Sequence, residues 1–248
     1  METRTEYPDQ PASSRFAATR WTVVLSAKAK NEPHADRALE TLCQMYWQPL
    51  YAFARRQGFA LHDAQDHTQE FFARLLKKDF LRSVAPEKGR FRTFLLVAFK
   101  RFLANARDHA CAQRRGGGET PLSLDVEAAE NLYCTEPLNV ASADVLYERR
   151  WALTLLDQTM NRLRQEYVTA HKSSDFDQLK IFLTAPKGEA NYETAATTLG
   201  LTAGATRVAT HRLRRRYREL FRDEIAQTVS NPSEIDDEVA YLLSVLGG

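Results

Sequence analysis

With 248 residues, a formal net charge of +2, 44% hydrophobic and 27% charged side chains, the chain is large enough for two small domains with cores of their own and too ordinary in composition for a disordered or fibrous protein. No stretch approaches the roughly 20 apolar residues of a membrane span and the first residues form no signal-peptide core, so a soluble, cytoplasmic protein without membrane contact is expected. Cys43, Cys111 and Cys134 are widely spaced and form no CxxC pair; they are expected as reduced thiols and argue against a disulfide framework or a structural zinc site.

The chain carries no phosphate-binding glycine loop, dinucleotide fingerprint or GxSxG elbow, and no internal repeat. Neither catalytic residues nor a cofactor or metal is expected.

Residues 1–14 are polar and contain two prolines, which predicts a disordered start. Thr19 is placed to cap a helix through Trp21, Val24 and Leu25. Pro33 marks a break, after which Ala38, Leu42, Met45, Leu50, Phe53 and Ala54 recur at helical spacing, with Pro49 as a kink or restart. The aromatics Tyr46, Trp47, Tyr51 and Phe53 read as core.

Residues 61–78 predict a helix capped by Asp63, with Asp66, Gln69, Glu70 and Arg74 on a polar side and Phe71, Leu75 and Leu76 near an apolar one. Such a face suits a docked partner or a plain solvated surface. Asp63 with His67 and Asp66 with Glu70 are also i,i+4 pairs of metal-ligand type, but no second ligand set accompanies them.

In residues 89–115, Arg90, Arg92, Lys100, Arg101, Arg107, Arg114 and Arg115 interleave with Phe91, Phe94, Phe99 and Phe102. Arginines suit a phosphate backbone, and an exposed aromatic ring stacks on an unpaired base for about 1–3 kcal/mol. Phe91 or Phe94, near a loop, is expected at the surface, and Phe99 and Phe102 are not.

Residues 116–144 contain six acidic side chains, no Lys or Arg, two prolines and a glycine run, the composition of a domain linker. Helices are then predicted over 146–167 and 176–183.

Residues 191–229 read as two helices joined by a short turn. Asn191 caps the first, Gly200 ends it in a left-handed conformation, and Thr202 caps the second. Ala205, Ala209, Leu213, Tyr217 and Leu220 are expected to pack, while Arg207, His211, Arg214 and Arg218 share another face. Seven arginines lie between Arg207 and Arg222 against one acid, Glu219, so cationic charge is concentrated there. A helix-turn-helix of this kind places Arg207, Thr210, His211 and Arg214 to reach base edges in a major groove. Finally, Pro232, Ser233 and Asp236 predict a capping box for an acidic helix with an apolar face of Ile235, Val239, Leu242, Leu243 and Leu246. That helix either completes a core or folds back to restrain DNA binding.

The order DAQDHTQEFF, GRFRTFLLVAFKRFL, RRGGG and HRLRRRYRELFR, from about Arg15 to the C-terminus, resembles bacterial RNA polymerase sigma factors of the extracytoplasmic-function type. The resemblance implies an all-α protein of two small helical domains: residues 15–115 (core polymerase and −10 binding), an acidic linker over 116–144, a helix-turn-helix domain over 145–230 (−35 binding) and a helical extension over 231–248. It assigns Asp66, Gln69, Glu70 and Phe71 to core polymerase. Phe91, Arg92, Phe94, Lys100, Arg101 and Arg107 fall to the unpaired −10 element, and Arg207, Thr210, His211, Arg212, Arg214 and Arg215 to the −35 duplex. Phe94 stands where many members have tryptophan, and Lys100 and Arg101 where asparagine is common. The implied partners are bacterial core RNA polymerase, promoter DNA and an anti-sigma protein. Two other readings stay open: a stand-alone helix-turn-helix regulator, and a metal-dependent helical enzyme using Asp63, Asp66, His67 and Glu70.

Overall fold

The computed structural model describes residues 33–77, 89–110, 126–134, 142–185, 191–229 and 231–247, and all secondary structure among them is helical. The expected disordered start, the helix expected from Thr19, the arginine–glycine run and Cys111 lie outside the described residues.

Helix α1 (Pro33–Arg56) runs on through Pro49, where a kink or restart was expected. Proline costs a helix interior one hydrogen bond and a steric clash. Here the flanking turns bury Leu42, Tyr46, Trp47, Leu50, Tyr51 and Phe53 completely or nearly so, and Pro49 is buried among them, which offsets that cost. Helix α2 (Leu61–Lys77) starts two residues before Asp63, which therefore sits in the first turn and acts on the helix dipole instead of capping. Helix α3 (Phe91–Ala110) sends Phe91, Leu95, Phe99, Phe102 and Leu103 into the core at helical spacing.

The stretch read as an acidic linker contains helix α4 (Val126–Cys134), and this segment is docked. Ala129 is buried, and Glu130 accepts hydrogen bonds from Tyr51 Oη and from Arg55 Nε (3.0 Å) and Nη2 (2.7 Å). Burial works against the Glu130 charge, but these donors outweigh it and hold its carboxyl below the ordinary range. Composition alone identifies such a segment as polar; it does not reveal an arginine and a tyrosine waiting on α1.

Helix α5 (Ala143–Thr169) is 27 residues long, about 40 Å at 1.5 Å per residue, and is capped by Ser142 Oγ accepting from Val145 N. It serves two hydrophobic clusters. Its first half gives Tyr147, Trp151 and Leu155 to the cluster built on α1, α2 and α3; its second half gives Leu163 to a cluster with Phe176, Leu179 and Phe182. The segment expected as one helix over 176–183 is split into α6 (Ser173–Leu179) and α7 (Ile181–Thr184). Helices α8 (Tyr192–Leu199) and α9 (Ala203–Ala226) follow, and α9, like α5, reaches both clusters: Leu213 and Leu220 enter the second, Phe221 and Ile225 the first.

At the C-terminal end, Asn231 caps a 3-10 turn (Pro232–Glu234) by accepting from Ser233 N at 3.2 Å, so the cap is Asn231 and not the expected box on Ser233. Helix α10 (Ile235–Gly247) continues from it and puts Leu242 into the first cluster.

Two measurements check this packing. Trp151→Ala is expected to remove about 3–5 kcal/mol of unfolding free energy, seen as a lower urea midpoint; an unchanged midpoint would mean that α5 is not anchored in the first core. Burial, with Glu40 adding, pushes the Cys43 thiol up to about 12. Its thiolate share at pH 8 is then about one in ten thousand and grows only as the pH approaches 12. Iodoacetamide at pH 8 should therefore alkylate exposed Cys134 and spare Cys43 in the native protein, as judged by peptide mass mapping.

Candidate nucleic-acid interface

The turn between α8 and α9 is built by its own residues. Asn191 Oδ1 accepts from Glu193 N at 3.1 Å, and Thr202 Oγ1 accepts from Ala205 N at 3.1 Å, satisfying amides that each helix start would otherwise leave unpaired. Gly200, at φ 64°, ends α8, and Leu201 N donates back to the Ala196 carbonyl at 2.9 Å. These three roles are the ones the sequence predicts.

The packed face of α9 holds Leu213 and Leu220 as expected but differs over its first two turns. Ala205 is exposed and Ala209 only partly buried; the packed side is Thr206, Thr210, Leu213 and Leu220, with Tyr217 half-buried. Thr210, expected on a base, is 1% exposed, because its hydroxyl donates to the Thr206 carbonyl at 2.9 Å and so enters the interior with its polar atom satisfied. Arg214, also expected on DNA, turns inward: its Nε (3.0 Å) and Nη2 (2.5 Å) donate to the Phe182 carbonyl in α7. Arg216 is held by Glu166 of α5 and by Glu219, which raise its pKa further above the usual arginine value.

Arg207, His211, Arg212, Arg215 and Arg218 lie on the exposed side of α9. Arg207 rests over the Tyr192 ring at 5.5 Å, and Arg215, 74% exposed, pairs with Glu219 one turn on at 2.9 Å. Val208 and Leu201, both about half exposed, add apolar contact area beside this stripe, which the charge pattern of the sequence does not reveal.

The second basic surface is smaller than expected. Phe91 is 4% exposed, packed edge-on to Tyr46 at 5.5 Å and stacked on Phe94 at 6.1 Å. Arg92, 2% exposed, donates to Glu148 Oε2 at 2.7 Å and to Glu238, and lies 4.5 Å over the Trp151 ring. Both assignments to an open DNA surface are corrected by this burial, which ring packing gives Phe91 and two distant carboxylates make possible for Arg92. Lys100 pairs with Asp144 at 2.5 Å, and Arg107 donates to the Gln57 carbonyl at 2.7 Å while covering the Phe59 ring. Phe94 and Arg101 line a groove of about 310 Å³ between α2 and α3 with Phe71, Arg74, Val97 and Asn105. The groove residues of α3 recur every three or four positions, so their common face was readable in the sequence; the facing Arg74 was not.

On α2, Asp66 is exposed, Gln69 half-buried and Glu70 exposed in a pair with Arg74. Phe71, expected to meet a partner, is 3% exposed and packs on Phe99 at 5.0 Å. His67 faces the rings of Phe59 (5.0 Å) and Phe102 (6.1 Å), and among the described residues no group of three or more His, Cys, Asp or Glu is arranged to hold a metal ion.

The space around Gly200 is open, so only its backbone conformation resists a side chain. Gly200→Ala is expected to cost about 1–2 kcal/mol in thermal or urea unfolding, the penalty of a left-handed L-residue, and Gly200→Asn less; equal stability of all three would mean that the left-handed turn at Gly200 does not contribute to folding. No family model matches the chain, and neither a curated protein nor a solved structure matches it.

Proposed function

We propose that the chain is a promoter-recognition subunit of the sigma type, which binds bacterial core RNA polymerase in the cytoplasm and guides it to DNA without catalysing a reaction. The observation that carries this reading is the exposed stripe of Arg207, His211, Arg212, Arg215 and Arg218 on a long helix that begins at a capped three-residue turn. Its first residues are the ones a helix inserted in a major groove offers to base edges, and its later arginines are spaced for phosphates.

Two further features support it. The groove floored by Phe71, Phe94 and Phe102 with Arg74 and Arg101 at its edge combines apolar walls and cations, which suits an unpaired strand. Asp66 and Glu70 are exposed on α2, away from the apolar face carrying Phe71, Phe72 and Leu75, and would meet a basic partner. In this division of labour Arg207, His211, Arg212 and Arg215 read duplex, Phe94, Arg101 and Arg107 hold the strand, and Asp66, Gln69 and Glu70 bind polymerase. An anti-sigma protein would be a further partner.

The test is co-elution with bacterial core polymerase on gel filtration. Asp66→Lys with Glu70→Lys should abolish it and leave duplex binding intact. Arg207→Ala or Arg212→Ala should weaken duplex binding by about 1–3 kcal/mol where a base is contacted and leave co-elution unchanged. Duplex binding without co-elution of the unmodified chain would replace this reading with a stand-alone regulator.

A further inference from the structure

Helix α10 rests on the first cluster through one side, that of Ile235, Val239, Leu242 and Leu246. Among its side chains only Glu238 and Leu242 are buried, Ile235, Val239 and Leu246 are partly so, and Tyr241 and Leu243 are 40% and 56% exposed. Beside this apolar seat its acids reach arginines of both basic stretches. Glu238, fully buried, accepts from Arg92 and pairs with Arg90 Nη2 at 2.8 Å; Asp236 pairs with Arg222 Nη1 at 2.5 Å, near the end of α9. The Tyr241 ring lies under Arg90 at 5.9 Å and Arg92 at 5.6 Å.

A buried carboxylate–arginine pair gains in attraction about what it loses in desolvation, so it adds specificity of position more than holding strength. The seat it occupies is also prepared for another anion. Glu148 and the Trp151 ring hold Arg92 from the body of the protein, independently of α10. A phosphodiester presents to Arg90 and Arg92 the same paired oxygen acceptors as the Glu238 carboxylate.

We infer that Arg90 and Arg92 form a phosphate-binding seat, that Glu238 fills it in the free chain, and that α10 is a self-inhibitory stopper which a DNA strand displaces. The inference rests on the DNA-binding reading above. It adds a site within that reading and a reason for the acidic first turn of α10.

The experiment compares the full chain with full-length Asp236→Asn/Glu238→Gln, in which both side chains keep their shape and lose their charge. Binding of a fluorescent oligothymidylate is followed by anisotropy over a range of salt concentrations. The variant should bind about tenfold more tightly, the effect of roughly one charge-assisted contact, and its log–log salt dependence should steepen by about 0.7 for each arginine released. In the unmodified chain, saturating oligothymidylate should speed hydrogen exchange at the amides of residues 235–247 while the middle of α5 stays protected; this arm decides even where the variant folds poorly. Equal affinity and equal salt slope, with the α10 amides unchanged by the oligonucleotide, would overturn the stopper and leave the DNA reading standing. Absence of binding to strand and duplex by both proteins would overturn the DNA reading itself, and the stopper with it.

Discussion

One buried charge sets the arrangement of helices that are far apart in sequence. Arg92 has almost no contact with water, and an unpaired charge in that position would cost several kcal/mol. It is tolerated because α5 supplies Glu148 and α10 supplies Glu238, while Tyr147 Oη donates to the Arg92 carbonyl at 2.9 Å. Burial opposes the Arg92 charge, but the two carboxylates outweigh it and keep its pKa above the usual value. Glu148 is pushed upward by the same burial, with Arg92 pulling the other way. Two carboxylates around one guanidinium leave an excess of negative charge, which half-exposed Arg90 balances through Glu238. The start of α3, the first turns of α5 and the C-terminal helix therefore hold one another in register.

From that junction α5 and α9 carry the arrangement outward. Both helices contribute apolar side chains to both clusters, so the second cluster is joined to the first through continuous helix. Side chains tie the two helices together along the way: Arg162 meets Glu224 at 3.1 Å, Arg216 meets Glu166 at 2.6 Å, and Tyr217 Oη donates to the Leu156 carbonyl at 3.2 Å. Partly exposed pairs of this kind contribute little individually. The apolar residues Trp151, Leu155, Leu163, Leu213, Leu220 and Ile225 supply the rigidity, and the ion pairs select which faces meet. As a consequence, the cationic stripe of α9 and the groove beside α3 are parts of a common framework.

What could be read from the sequence was whatever the chain decides locally. The all-α class, the Asn191 and Thr202 caps and the left-handed Gly200 depend on residues within a few positions of one another, and the structure has them as expected. What failed depends on partners far along the chain. Nothing near Arg92 announces Glu238, so a helix dense in arginines reads as a surface. Phe71 and Phe91 lie at spacings that fit either an exposed or a packed face, and only the positions of Phe99 and Tyr46 decide between them. On α9 the expected stripe holds at Arg207, His211 and Arg218 and fails at Arg214, and in the first two turns threonines are packed where alanines are expected to be. Back-bonding to the preceding turn lets Thr206 and Thr210 bury, which moves the packed side by one residue at the start of the helix while Leu213 and Leu220 stay in place. Pro49 and the docked α4 failed similarly: a local rule about proline, or about composition, was overruled by burial.

The small net charge conceals a separation of charges that the fold brings about. Glu130, Glu148, Glu166, Glu224 and Glu238 each face an arginine of another helix, and Asp144 faces Lys100. Acidic groups are thus taken up in joining helices, while Arg207, Arg212 and Arg218 are left on the outside of α9. A surface potential follows from what remains exposed and not from the total, so a chain of formal charge +2 carries a cationic stripe on α9. The same sorting explains why α10 matters beyond its length. Its acids join those of α5 in reaching the basic stretches, Glu238 at Arg90 and Arg92 and Asp236 at Arg222, so three arginines of two stretches are tied to one short C-terminal helix.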